Sequence, residues 1–195
     1  FGSNNPAARC PLTWYSSDCE VPDINNYDIV SSKATYMYYN GEPLFPFGYG
    51  LSYTTFNYGN MQVEETYEEY KVSCEIVNNG KYDGSEIVQL YVKAPQGVFK
   101  PIKELKGFTK VYLKAGESKR AEIVIKKDDL RYWNIRENRW VLEGGEYELQ
   151  LCSDCQTVRL SQAITVKGDN AVIPYSDEIS TVYSAADVDK ITDGV

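Results

Sequence analysis

The stretch EIVQLYV at residues 86–92 decides the fold class of this chain. Side chains alternate between the two faces of an extended strand, so Val88, Leu90 and Val92 share one face while Gln89 and Tyr91 lie on the other. The run AEIVI at residues 121–125 repeats this alternation. The pattern predicts β-strands that each place an apolar face on a common core.

Short apolar runs of this kind recur between residues 61 and 167. They lie at 70–77, 87–94, 111–113, 121–125, 139–142, 147–151 and 158–166, and turn residues such as Asn-Asn-Gly at 78–80 separate them. About seven short strands over roughly 100 residues are typical of an antiparallel β-sandwich of the immunoglobulin type. We therefore expect a mainly β fold, with the sandwich at residues 59–168.

The flanks of the predicted sandwich differ from it in composition. Residues 1–58 are rich in Pro, Gly, Asn and Tyr, which favours loops and short strands and suggests the loop-rich remnant of another, larger domain. Residues 169–195 form a polar linker or tail, with a candidate helix cap at 184–187. Since Phe1 is not a methionine, we expect the chain to be an excerpt or a processed product.

Composition excludes several classes of function. The chain has 20 Lys and Arg against 28 Asp and Glu, a formal charge of −8, which disfavours binding to nucleic acid or to an anionic membrane surface. No run reaches the roughly 18 apolar residues of a membrane span. Histidine is absent, which removes Ser-His-Asp and Cys-His catalysis and His-ligated zinc. Unpaired cysteines and no visible signal peptide favour the bacterial cytoplasm, and secretion stays open.

Two groups of residues are candidates for chemistry. Cys152 and Cys155 have the spacing of a redox pair or half of a zinc site, but no second pair supplies further ligands, so we expect a turn with free or locally paired thiols and no metal or cofactor. Cys10 and Cys19 are an alternative disulfide pair. Four carboxylates in the loop-rich part could serve acid–base catalysis, namely Asp18, Glu20, Asp23 and Asp28. Solvated surface positions are the simpler interpretation of these residues.

An aromatic stretch follows, with YMYY at residues 36–39 and FPFGYGLSYTTF at residues 45–56. Such residues suit either a sugar-stacking surface or a plug between domains, and we favour the plug. Gly48 and Gly50 flank Tyr49, which predicts a positive φ or a close approach of the backbone at these glycines.

Several motifs in order carry a family resemblance. NPAARCPLT at residues 5–13 looks like a segment N-P-(S/A)-G-R-L-P-x-T, and GEPLFPFGYGLSYT at 41–54 looks like Y-P-F-G-(Y/H)-G-L-S-Y-T. Residues 78–92, 103–108, 114–118 and 128–130 resemble a fibronectin type III-like domain. Together they resemble the C-terminal portion of family 3 glycoside hydrolases, the β-glucosidase and β-xylosidase family. Ala8, Cys10 and the 152–155 turn depart from the family pattern.

The resemblance implies a role without catalysis for this chain. In that family the nucleophilic aspartate and the acid/base glutamate lie upstream of this segment, so it implies no catalytic residue here and an inactive chain on its own. The parent would hydrolyse terminal β-linked glucose or xylose from oligosaccharides. The remaining domains of the parent would be the partner, braced by the sandwich, with Phe45, Phe47, Tyr49 and Tyr53 packed at the junction.

A different class of function stays open at this point. The chain could be an independent carbohydrate-binding β-sandwich module, with Tyr36, Tyr38 and Tyr39 as its stacking platform. A spacer domain at a cell surface is a third possibility, because a sandwich fold by itself indicates no particular role.

Overall fold

The computed structural model describes residues 4–174. Its helical elements are short: the helix α1 (Thr35–Tyr38) and 3₁₀ turns at Asp18–Glu20 and Lys127–Leu130. The strands are β1 (Phe56–Glu65), β2 (Glu69–Asn78), β3 (Gly84–Lys93), β4 (Glu104–Leu113), β5 (Ser118–Lys126), β6 (Tyr132–Asn134), β7 (Arg139–Val141), β8 (Gly145–Cys152) and β9 (Val158–Val166). The candidate helix cap at 184–187 lies outside the described residues. In the described part, no helix is long and apolar enough to span a membrane.

The strands form the expected antiparallel sandwich. One sheet has the order β1-β2-β5, and the second has the order β4-β3-β8-β9, with every pairing antiparallel. Strands β6 and β7 form a separate hairpin. Each of the seven apolar runs overlaps a strand, so the prediction of a mainly β fold is confirmed.

Strand β1 was not among the predicted strands, and its bulge explains why. The register with β2 shifts between Gly59 and Gln62, and Asn60 has φ 52°. Phe56 and Tyr58 face the core before the bulge, whereas Met61 and Val63 face it after the bulge. The spacing between successive core-facing residues is therefore three across the bulge and two on either side of it. The strand begins at Phe56, and the boundary expected between residues 58 and 59 therefore falls inside it.

The core lies between the two sheets. Val88 and Leu90 of β3 are fully buried and pack in one cluster with Val72 and Ile76 of β2. The alternating run of β5 contributes Ala121, Ile123 and Ile125 to the same cluster, as its pattern predicts. Removing this apolar surface from water is the main stabilising term of the sandwich.

Part of the outer face of the four-stranded sheet is buried as well. Gln89 and Tyr91, on the opposite side of β3 from the core, are 3% and 0% exposed. Tyr91 packs with Cys152 and Cys155 in a second cluster. Tyr36 and Phe47, from the part of the chain that precedes β1, cover this cluster. Residues 4–55, called the N-terminal segment below, therefore form an additional layer on the sandwich.

Candidate functional site

The N-terminal segment folds back on itself as a short antiparallel ribbon. The Cys10 amide donates to the Tyr49 carbonyl at 2.7 Å, and the Gly48 amide donates to the Cys10 carbonyl at 2.8 Å. Further along, the Trp14 amide donates to the Phe45 carbonyl at 2.9 Å. Residues 10–14 are thereby held beside residues 44–49, which places the aromatic stretch against the sandwich.

A buried amide side chain joins this ribbon to the sheet. Gln89 Nε2 donates to the carbonyls of Gly48 at 3.0 Å and Ser153 at 2.7 Å, and its Oε1 accepts from the Tyr91 hydroxyl at 2.8 Å. The Cys155 amide donates to the Phe47 carbonyl at 2.8 Å. Since a buried amide is costly unless its hydrogen bonds are made, Gln89 fixes the position of the loop above it.

The glycines of the ribbon fit this close approach, as the sequence predicts. Gly48 has φ 83°, and a Cβ built on it would lie 2.1 Å from Gln89 Oε1. A Cβ on Gly50 would lie 2.4 Å from the Ala8 carbonyl oxygen. Both positions exclude a larger residue unless neighbouring groups move.

An ion pair ties the start of the segment to β3. Arg9 Nη2 lies 2.7 Å from Glu86 Oε2, and the two side chains are only 11% and 5% exposed. The Tyr58 hydroxyl donates to Glu86 Oε1 at 2.7 Å, and burial raises the pKa of Tyr58. The carboxylate is thus fully partnered, whereas the buried Nε of Arg9 has no hydrogen-bond partner.

The three tyrosines considered as a sugar platform are engaged within the chain. Tyr36 stacks on Phe47 with ring centroids 4.6 Å apart, and its hydroxyl accepts from a backbone amide of β4 at 2.9 Å. Tyr38 stacks on Phe99 at 6.0 Å. The Tyr39 hydroxyl donates to Glu20 at 3.0 Å. All three side chains are half-buried, so part of each is occupied by contacts within the chain.

The four residues expected at the junction lie in two environments. Phe47 is partly buried against the outer-face cluster, and the ring of Tyr49 lies 5.2 Å from that of Phe45. Phe45 is 39% exposed and Tyr53 is 58% exposed, so both point away from the sandwich over much of their surface. Gln89, Glu86 and Arg9, which make the polar contacts of the junction, were not predicted.

The other side of the N-terminal segment exposes an apolar surface. Leu12, Trp14, Val21 and Leu44 together line a shallow groove of about 470 Å³, and Phe45 contacts the ring of Trp14 edge-on at 6.3 Å. These five side chains, called the apolar face below, are each exposed by 39% or more. The segment therefore binds the sandwich on one side and presents apolar groups on the other.

Comparison with known proteins places this architecture in a family. The family model for the fibronectin type III-like domain matches residues 86–155. A GH3 β-glucosidase of Bifidobacterium adolescentis superposes with a TM-score of 0.80 at 28% identity, over 98% of this chain and 31% of that structure. The chain belongs to the family 3 glycoside hydrolases.

Similarity in sequence agrees with this assignment. A xylan 1,4-β-xylosidase of Xylanibacter ruminicola is 37% identical over 151 residues, which cover 76% of this chain and 17% of the relative. A probable β-glucosidase I of Aspergillus fumigatus is 38% identical over 170 residues, covering 76% of this chain and 20% of the relative. The chain spans about a fifth of the length of these family 3 relatives.

The cysteines of this family 3 chain are all free thiols. Cys19 is exposed and Cys10 half-buried, and the other three, called the buried cysteines below, are Cys74, Cys152 and Cys155. Burial raises the pKa of Cys152 to about 12 and that of Cys155 to about 11. Thiols with such pKa values are poor nucleophiles at neutral pH, so the 152–155 turn does not have the chemistry of a redox pair.

Three of the four carboxylates considered for catalysis have local structural roles, and the fourth, Asp18, is exposed. Glu20 accepts from the hydroxyls of Ser16 and Tyr39, which lowers its pKa, and Asp28 accepts from backbone amides of the following turn, which lowers its pKa as well. Asp23 Oδ1 accepts from the Asn25 amide at 2.9 Å. Within residues 4–174, no three Cys, Asp or Glu side chains are grouped so that they could hold a metal ion.

Proposed function

We propose that this chain is the non-catalytic C-terminal part of a β-glycosidase that hydrolyses terminal β-linked glucose or xylose from oligosaccharides. The residues up to 55 would be the end of the catalytic α/β domain, residues 56–168 a bracing sandwich that includes all of β1, and residues 169–195 a linker. Relatives named as a β-xylosidase and a β-glucosidase support this activity for the parent. The catalytic carboxylates would be supplied by the rest of the parent.

The observation that carries the proposal is the two-sided N-terminal segment. One side is attached to the sandwich by the Gln89 hydrogen bonds and by the Arg9–Glu86 ion pair. The other side carries the apolar face, with Trp14 51% and Leu44 58% exposed. Contiguous exposed apolar groups mark interaction sites, so the partner of this face would be the remaining domains of the parent.

A complementation assay tests this function. The catalytic part of a family 3 β-glucosidase, prepared without its matching C-terminal region, is assayed on aryl β-glucosides and β-xylosides with and without this chain. We expect no turnover by the chain alone and a gain of turnover in the mixture. Trp14→Ala should weaken the gain, whereas the matched control Trp133→Ala, which changes a Trp of 45% exposure on β6, should not.

Two results would contradict the proposal. One is turnover by the chain alone that disappears when one of its own carboxylates is replaced. The other is a chain that remains monomeric, binds no hydrophobic dye and does not associate with the catalytic part, because the apolar face would then have no function as a contact surface.

A further inference from the structure

An apolar pocket lies beside the apolar face, between the start of the N-terminal segment and helix α1. Its volume is about 320 Å³, at the lower end of the roughly 300–1,000 Å³ of small-molecule sites. We call it the Met37 pocket. Its main lining side chains are Leu12, Tyr15, Ala34, Tyr36, Met37 and Phe47. The small volume suits a single ring-sized apolar group and not an extended ligand.

Hydrogen bonds to the sandwich fix the walls of the Met37 pocket. The Tyr36 hydroxyl accepts from a backbone amide of β4 at 2.9 Å. The Met37 carbonyl accepts from the Ile102 amide at 3.1 Å, and the Phe47 carbonyl accepts from the Cys155 amide at 2.8 Å. Because these bonds hold the wall at three separate points, the pocket is preformed, and a group that enters it does not have to order the wall first.

The side chains of the wall favour an aromatic group. The rings of Tyr36 and Phe47 are stacked with centroids 4.6 Å apart, and the Tyr15 ring is held edge-on by Tyr39 at 5.0 Å. Aromatic pairs gain energy beyond the area that they bury. Met37 adds a polarizable thioether, which makes favourable contacts with aromatic rings. An aromatic group therefore binds this wall better than an aliphatic group of the same size.

Two observations indicate that the group comes from another part of the parent. The pocket shares Leu12, Thr13 and Tyr15 with the groove of the apolar face, so a surface that covers this face also lies over the pocket. The Thr13 hydroxyl is buried, and within residues 4–174 it has no hydrogen-bond partner. Since buried polar groups are rarely left unpaired, this hydroxyl points to a partner that residues 4–174 do not supply.

We propose that the Met37 pocket receives one aromatic side chain from the remaining domains of the parent. The inference rests on the proposed function and deepens it, because it locates the anchor of the contact that the apolar face makes. In protein interfaces, a few aromatic side chains that fill pockets contribute most of the binding energy. A change that fills the Met37 pocket should therefore weaken the contact more than a similar change on the exposed surface.

Binding of indole to this chain tests the pocket directly. Labelled methionine methyl groups give two NMR signals, because the chain has two methionines: Met37 in the pocket and Met61 on β1, which packs against the sandwich core. We expect millimolar indole to shift the Met37 signal with a saturable dependence and to leave the Met61 signal unchanged. Cyclohexanol, an aliphatic ring of similar size, should bind more weakly.

A pocket-filling variant and its control link the signal to the site. Ala34→Leu introduces a larger side chain at a lining position and should weaken indole binding about tenfold or more. Ala115→Leu makes the same change at an exposed turn position outside the pocket and should leave indole binding unchanged. Urea unfolding verifies that both variants are folded.

The complementation assay identifies the group that enters the pocket. Ala34→Leu should reduce the gain of turnover that this chain gives to the catalytic part, whereas Ala115→Leu should not. Met37→Ala, which removes the thioether without filling the pocket, should also reduce the gain.

The possible failures are distinguishable. The aromatic pocket is overturned if indole causes no saturable shift of the Met37 signal, or if cyclohexanol binds as tightly as indole. The parent is overturned as the source of the occupant if Ala34→Leu gives the full gain of turnover. Both results leave the proposed function standing. No gain of turnover with the unchanged chain removes the proposed function and the occupant together, and the indole titration then decides whether the pocket itself binds an aromatic ring.

Discussion

Replacing Gly48 by alanine tests the contact between the N-terminal segment and the sheet. At φ 83° a residue with a side chain costs about 1–2 kcal/mol relative to glycine. The new methyl group would also lie 2.1 Å from Gln89 Oε1, so the amide has to move. Displacing it breaks buried hydrogen bonds to Gly48, Ser153 and Tyr91, at about 1–3 kcal/mol for a buried group left unpaired.

We therefore expect Gly48→Ala to lower the free energy of unfolding by about 2–5 kcal/mol. Gly116→Ala is the matched control, since Gly116 has φ 76° and no atom within 4 Å of the position that a new methyl group would take, so only the backbone cost of about 1–2 kcal/mol applies. Urea unfolding measures both variants, and hydrogen exchange of the Cys155 amide reports local release of the segment. Equal losses in the two variants, with unchanged exchange at Cys155, would refute the close contact.

Four further predictions concern Arg9, the cysteines and Tyr36. Arg9→Gln should lower the free energy of unfolding by about 3–5 kcal/mol, because it leaves Glu86 buried without its counter-ion. Lys71→Gln, at an exposed ion pair, is the control and should change this free energy little. Urea unfolding of both variants measures the difference. Iodoacetamide at pH 8 should modify Cys19 and spare the buried cysteines, as mass spectrometry would show. The buried cysteines have pKa values near 9 in the unfolded chain and about 11 to 12 in the folded chain. Above pH 9 they ionise more readily in the unfolded chain, so the free energy of unfolding should fall as the pH rises. A free energy of unfolding that increases above pH 9 would contradict this. Tyr36→Phe leaves a backbone amide of β4 without its acceptor and should cost about 1–3 kcal/mol in urea unfolding.

Much of the sandwich could be predicted because its strands alternate regularly. The run at residues 121–125 places Ala121, Ile123 and Ile125 in the core and leaves Val124 46% exposed. β1 was missed because its bulge changes the spacing of its apolar residues, and the short strand β6 was missed as well. Local periodicity thus predicts regular strands and fails where the register shifts.

The polar contacts of the junction were not predicted, because they join residues that are far apart in the sequence. Phe47 lies against the outer-face cluster, as its position in an aromatic stretch suggests, but Gln89 and Glu86 make the deciding polar contacts. The sequence signal for these contacts was the presence of two polar residues, Glu86 and Gln89, in an otherwise apolar strand. Their partners lie 41 and 77 positions away in the chain, and no local pattern connects residues so far apart.

The second buried face of β3 bears on how such a domain could be transplanted. A designer who takes the sandwich alone, starting at β1, would uncover Tyr91, Cys152 and Cys155, which the N-terminal segment now shields. The excised unit would then expose an apolar surface that favours association and two cysteines that can be oxidised. The portable unit is therefore the sandwich together with its N-terminal cover, and fusion points belong before Asn5, whose side chain hydrogen-bonds to the Asp83 carbonyl, and not at the first strand.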